Sequence, residues 1–82
     1  MYLAKITITL RKSILDPQGK AIHHALQSLQ MKEVQDVRIG KFVEMKIDST
    51  EEARARQVTE EACRKLLANP VMEDYAFSME KI

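Results

Sequence analysis

The sequence predicts an α+β sandwich, in which a four-stranded antiparallel sheet carries two helices on one face in the order β-α-β-β-α-β. Three observations lead to it. Ala4, Ile6, Ile8 and Leu10 alternate with Lys5, Thr7 and Thr9, the period of a half-buried strand. Two stretches, one after Asp16 and one after Ser49, repeat their apolar residues at helical spacing. Finally, Gly40-Lys41 separates two apolar runs as the loop of a hairpin does.

The elements follow in chain order. The first strand covers Ala4 to Leu10, and Arg11 to Leu15 connects it to a helix reaching about Gln30. Asp16 is a suitable N-cap, because its carboxylate can accept from free N–H groups of the first turn. Pro17 then falls at the first helical position, where its missing N–H costs nothing. Ile22, Ala25, Leu26 and Leu29 form the apolar stripe expected to face the sheet. Gly19 weakens the first turn, by up to about 1 kcal/mol relative to alanine. A bare backbone there suits close packing against the chain's own loop better than contact with a partner.

The second strand is predicted over Glu33–Ile39 and the third over Phe42–Ile47, with Gly40 free to take positive φ between them. Counting faces exposes a conflict. In a strict two-residue hairpin Val37 and Ile39 share a face with Phe42, so Val43, Met45 and Ile47 point the other way. Either a bulge at Gly40 restores one apolar face, or both faces are buried and a second chain covers one of them.

Ser49-Thr50-Glu51-Glu52 has capping-box spacing and opens a second helix reaching about Ala68. Its buried stripe is Ala55, Val58, Ala62 and Leu66, with neighbours Cys63 and Leu67. Glu52–Arg56, Glu60–Arg64 and Glu61–Lys65 are acid-before-base pairs on a solvated face. Asn69-Pro70 stops the helix, and the last strand runs from Glu73 to Lys81. This order, over a single domain spanning 1–82, is that of a ferredoxin-like sandwich.

Composition narrows the function. Thirteen basic against twelve acidic residues leave a net charge of +1, without the basic footprint that nucleic-acid binding needs. No apolar run reaches the ~20 residues of a membrane span, and a single cysteine excludes an internal disulfide, so a cytoplasmic protein is expected. His23 and His24 are adjacent and diverge by about 100° on a helix, so they do not share a metal easily. Cys63 has no neighbouring base and reads as a small buried thiol. No glycine-rich phosphate cradle is present, and Thr7 and Thr9 stand where an RNA-binding sheet would carry aromatics. Catalytic, cofactor-binding and metal-ligating residues are therefore all expected to be absent.

The joints carry a further signal. Leu15-Asp16-Pro17-Gln18-Gly19, then Val34-Gln35-Asp36-Val37-Arg38-Ile39-Gly40-Lys41, then Leu66-Leu67-Ala68-Asn69-Pro70-Val71-Met72-Glu73-Asp74-Tyr75 resemble the PurS family in order and spacing. Met72 alone departs, standing where a branched aliphatic residue is more usual.

PurS is the small subunit of phosphoribosylformylglycinamidine synthase, a glutamine-dependent, ATP-consuming carbon–nitrogen ligase of purine biosynthesis. The resemblance implies a chain that binds no cofactor, with ATP and Mg on the large synthetase subunit. It implies two partners, that subunit and a glutaminase subunit, and a homo-oligomer, dimer or tetramer. It also implies a purpose: ammonia lost to neutral water becomes ammonium and cannot attack, so two active sites must be held in register.

On this reading Asp16, Pro17, Gln18 and Gly19 at the first helix start, and Arg38, Gly40 and Lys41 at the hairpin tip, touch the larger subunits. Arg38 has no local explanation in the sequence, whereas Asp16 and Pro17 are equally well explained by capping. Phe42 is the candidate for self-association. The alternative is a small-ligand regulatory domain of the same fold, but Arg11-Lys12-Ser13-Ile14 lacks the glycine its effector loop wants. An acylphosphatase-type enzyme has only Arg11 in its favour.

Overall fold

In the computed structural model, which describes residues 1–82, three strands and two helices run β1 (Tyr2–Leu10), α1 (Pro17–Ser28), β2 (Gly40–Ile47), α2 (Glu52–Ala62) and β3 (Glu73–Lys81). β1 is the central strand and pairs antiparallel with β2 on one side and β3 on the other. Ile6 stands opposite Val43 and Phe77, and Ala4 opposite Met45 and Met79. Tyr2, Ala4, Ile6 and Ile8 are buried on the face that α2 covers. Thr7 lies on the other face, opposite Phe42 and Ala76, where the Lys5–Glu80 ion pair (3.0 Å) also lies.

The predicted four-stranded sheet is therefore corrected to three strands. Residues 33–39 form no strand, and Gly40-Lys41 is not a hairpin loop but the first two residues of β2, neither with positive φ. The physical reason is competition for backbone partners. The Val34 carbonyl accepts from His23 Nε2 (2.8 Å) and Gln27 Nε2 (3.1 Å) of α1, and Ile39 N–H donates to Asp16 Oδ2 (2.7 Å). Side chains thus occupy ladder groups of this segment and hold it beside α1. Since β2 pairs with β1 directly, Val43, Met45 and Ile47 fall on the core side without a bulge, and Phe42 faces outward.

Asp16 caps α1 as its sequence position predicts, accepting from Gly19 N–H at 3.0 Å with Pro17 next to it. The helix ends with Gln30 at φ 70° and the Met31 N–H on the Leu26 carbonyl (3.0 Å), the pattern usually built on glycine. Its stripe is not seated as expected. Gly19, His23, Leu26 and Gln27 turn toward the chain's own loop, while Ile22 (41% exposed) and Leu29 (65%) face solvent. α1 does not pack on the sheet or on α2 but projects beyond them. The molecule is 51 Å long, close to β1 (about 30 Å) and α1 (about 18 Å) laid end to end. Its radius of gyration, 16.3 Å, exceeds the roughly 12 Å of a compact chain this size.

The capping box does not form. Ser49 Oγ accepts from Glu51 N–H (3.2 Å) and donates to the Glu51 carbonyl, making a local turn, and α2 starts without a side-chain cap. α2 continues into a π-helical turn over Cys63–Leu67, closed by Ala68 N–H on the Cys63 carbonyl (3.0 Å). That wider turn rotates Leu66 off the buried stripe to 81% exposure. Thr59 takes a core position instead, its hydroxyl satisfied by the Ala55 carbonyl at 2.9 Å. Glu52–Arg56 (3.4 Å) and Glu61–Lys65 (2.6 Å) pair as predicted, whereas Glu60 accepts from the Tyr75 hydroxyl.

Candidate functional site

The two joints singled out in the sequence meet in space, and Asp16 is where they meet. One carboxylate oxygen takes Gly19 N–H and the other takes Ile39 N–H, so a buried side chain (5% exposed) ties the start of α1 to the start of β2. Those N–H groups, Gly19's first and Ile39's second, hold the Asp16 carboxyl below its ordinary range, and the Arg38 charge adds to the effect. The carboxylate is thereby committed to its own backbone.

Gly19 is explained by the same junction. A Cβ there would come 2.2 Å from the Val37 carbonyl oxygen, so only a bare backbone lets the returning segment cross the helix. Gly40 is similarly confined, its hypothetical Cβ 2.5 Å from the Ile8 carbonyl oxygen. Arg38 has the local partners its sequence did not reveal. Its Nη2 donates to the carbonyls of Arg11 (2.8 Å) and Ile14 (3.0 Å), which fixes the loop between β1 and α1. No local pattern in the sequence signals this clamp, because its acceptors lie more than twenty residues away. His23 and Gln27 stand at i, i+4 spacing, the one local signal for the inward pair, but nothing in the sequence marks their acceptor, the Val34 carbonyl.

Two shallow recesses flank Asp16. One, of about 210 Å³, is lined by Gln18, Gly40, Lys41 and Glu73, and the other, of about 180 Å³, by Leu15, Lys20, His23 and Arg38. Lys41 Nζ reaches Glu73 at 3.8 Å, and Leu15 stands out from the clamped loop, 67% exposed. Pro17 is exposed beside them. Phe42 (62% exposed) is not part of this surface; it lies on the sheet's open face.

The chemistry available is that of contact and positioning. No group of three or more His, Cys, Asp or Glu side chains is placed to hold a metal ion. Cys63 is fully buried, and burial first, then the Glu60 charge, pushes its thiol above the ordinary value, away from a reactive thiolate. The Tyr75 phenol is also raised, chiefly by its hydrogen bond to Glu60, which leaves it a neutral strut between β3 and α2. No helix is long and apolar enough to cross a membrane.

Comparison with known proteins decides the family. Residues 3–81 match the PurS family model, described as phosphoribosylformylglycinamidine (FGAM) synthase. The chain belongs to the PurS family. A PurS subunit of that synthase from Bacillus subtilis is 46% identical over 82 residues, covering 100% of this chain and 96% of that protein. The crystal structure of Methanocaldococcus jannaschii PurS, one of the subunits of formylglycinamide ribonucleotide amidotransferase in the purine biosynthetic pathway, superposes with a TM-score of 0.88 at 40% identity, over 100% of this chain and 99% of that one. A chain of the PurLQS structure from Thermotoga maritima gives a TM-score of 0.86 at 25% identity, over 98% of this chain and 99% of that one. The similarity to PurS structures thus extends over essentially the whole chain.

Proposed function

We propose that this chain is the connector of its complex, holding a glutaminase subunit and a large synthetase subunit in register so that ammonia passes from glutamine to formylglycinamide ribonucleotide. The chain is a PurS subunit of FGAM synthase, a glutamine-dependent ligase of purine biosynthesis, and is not itself catalytic. The observation that carries the connector reading is the junction at Asp16. Two segments far apart in sequence are locked together by charge-assisted hydrogen bonds, and the surface they frame offers shape and polarity.

In this reading Pro17, Gln18, Gly40 and Lys41, with Asp16, Gly19 and Arg38 beneath them, meet the larger subunits. ATP and magnesium bind to the large subunit and not to this chain. Copies associate into a dimer or tetramer, Phe42 contributing a contact from the open face, and the complex works in the cytoplasm. A small-ligand regulatory role finds no support, since both recesses are shallow and open to solvent.

Reconstitution tests the connector role. The two larger subunits are assayed with glutamine, and separately with an ammonium salt, each with and without this chain. Glutamine-dependent turnover should fall strongly when the chain is omitted while ammonia-dependent turnover changes little. Equal coupling without the chain would overturn the reading.

A further inference from the structure

Arg38 spends only one of its three side-chain nitrogens on its own chain. Nη2 donates to the carbonyls of Arg11 and Ile14, with that of Leu10 at 3.5 Å, while Nε and Nη1 have no acceptor. The clamp therefore fixes the plane of the guanidinium and leaves donors over. Arg38 lines the recess of about 180 Å³ beside Asp16 together with Lys20, and neither cation has a carboxylate of its own chain within ion-pair distance.

The other polar groups facing this recess do not fill that want. Both Asp16 oxygens are taken by the Gly19 and Ile39 N–H groups, and His23 Nε2 is taken by the Val34 carbonyl. Asp36 stands exposed on the rim and is paired with neither cation. The second recess differs, because its cation, Lys41, already faces Glu73. Leu15 gives the first recess an apolar lip, 67% exposed although its loop is tied down. The Ile14 carbonyl before it is held by Arg38, the Ile14 N–H by the Arg11 carbonyl (2.9 Å), and Asp16 after it by its two N–H donors. A large apolar side chain on a pinned loop is a preformed contact, its ordering cost met before any partner arrives.

We infer that this recess seats a carboxylate side chain of one larger subunit, an Asp or Glu beside an aliphatic residue, with Lys20 and Arg38 donating to it and Leu15 covering its neighbour. The seat presupposes the connector role and gives its partner surface a chemistry. Because both cations are exposed, the contact serves the choice and orientation of the partner more than raw affinity.

Carbodiimide coupling of the reconstituted complex tests the seat, since the reagent joins an amine to a carboxylate where the two are in contact. Mass spectrometry of the digested complex should find an amide between Lys20 and an Asp or Glu of one larger subunit, absent with Lys20→Gln. Titrating the chain into the two larger subunits gives a second measure, the half-saturating concentration for glutamine-dependent turnover. Lys20→Glu should raise it about ten-fold at low salt and less at high salt, and Asp36→Asn should lower it. Circular dichroism of both variants should match wild type, because neither side chain is ion-paired within its own chain. Failure of Lys20 to couple in an assembled complex overturns the carboxylate seat and leaves the connector role standing. So does a titration that the two variants shift in the same direction or not at all. A wild-type chain that leaves glutamine-dependent turnover unchanged overturns both.

Discussion

Asp16 joins two parts of this fold, because one carboxylate satisfies the N–H groups of Gly19, three residues on, and Ile39, 23 residues on. Its pH dependence follows from the sign of the shift. The folded-state pKa is depressed below its ordinary 3.8, so Asp16 contributes stability in full above that value and loses it as pH falls through the folded value. Asp16→Asn should therefore be less stable than wild type at neutral pH, and the gap between their denaturation midpoints should narrow below about pH 4. A gap that stays constant with pH would show that the charge is irrelevant. Gly19→Ala probes the same junction sterically. With a Cβ 2.2 Å from the Val37 oxygen the backbone must shift, and urea unfolding should show a loss of about 1–3 kcal/mol despite alanine's better helix propensity.

At the scale of elements, the two helices differ in what holds them. α2 packs Ala55 and Thr59, and the turn after it Cys63, onto the sheet, which gives α2 core contacts of its own. α1 is held by its cap, by the His23 and Gln27 contacts to the returning segment, and by the Arg38 clamp on the loop before it. In dilute monomer its amides should exchange with solvent much faster than those of α2, because local opening there exposes little buried apolar surface. Hydrogen exchange of the isolated chain at low concentration measures this, and equal protection of the two helices would contradict it. The strands were more legible than the return segment. β1 and β3 alternate cleanly, and a pattern of period two is sufficient where one face is solvated. Residues 33–39 also read as a strand, yet the partners that claimed their backbone groups were side chains of another element, and no periodicity reports those.

For the whole molecule, the length of 51 Å and thickness of 14 Å describe a body with more surface than its core requires. Only ten of 82 residues are buried, which leaves apolar side chains on both sheet faces and along α1. Under the proposed connector role, such surface is where neighbouring subunits bind. Phe42 is a large apolar residue of the open face, opposite Thr7 on the neighbouring strand. Phe42→Glu should yield a smaller species in light scattering without loss of folded structure, since the side chain packs against little in its own chain; an unchanged mass would remove Phe42 from the self-association surface.

The sequence by itself determined which family the chain resembles, the cap at Asp16 and the period of the sheet's strands. These are properties of composition and of neighbours within one or two turns. Tertiary structure decided the rest: that 33–39 is not a strand, that α1 leaves the sheet, and that Arg38 clamps a loop from across the fold. Each of these turns on a hydrogen bond or close contact between residues distant in the chain, and such choices among competing partners are made only when the whole chain is in place.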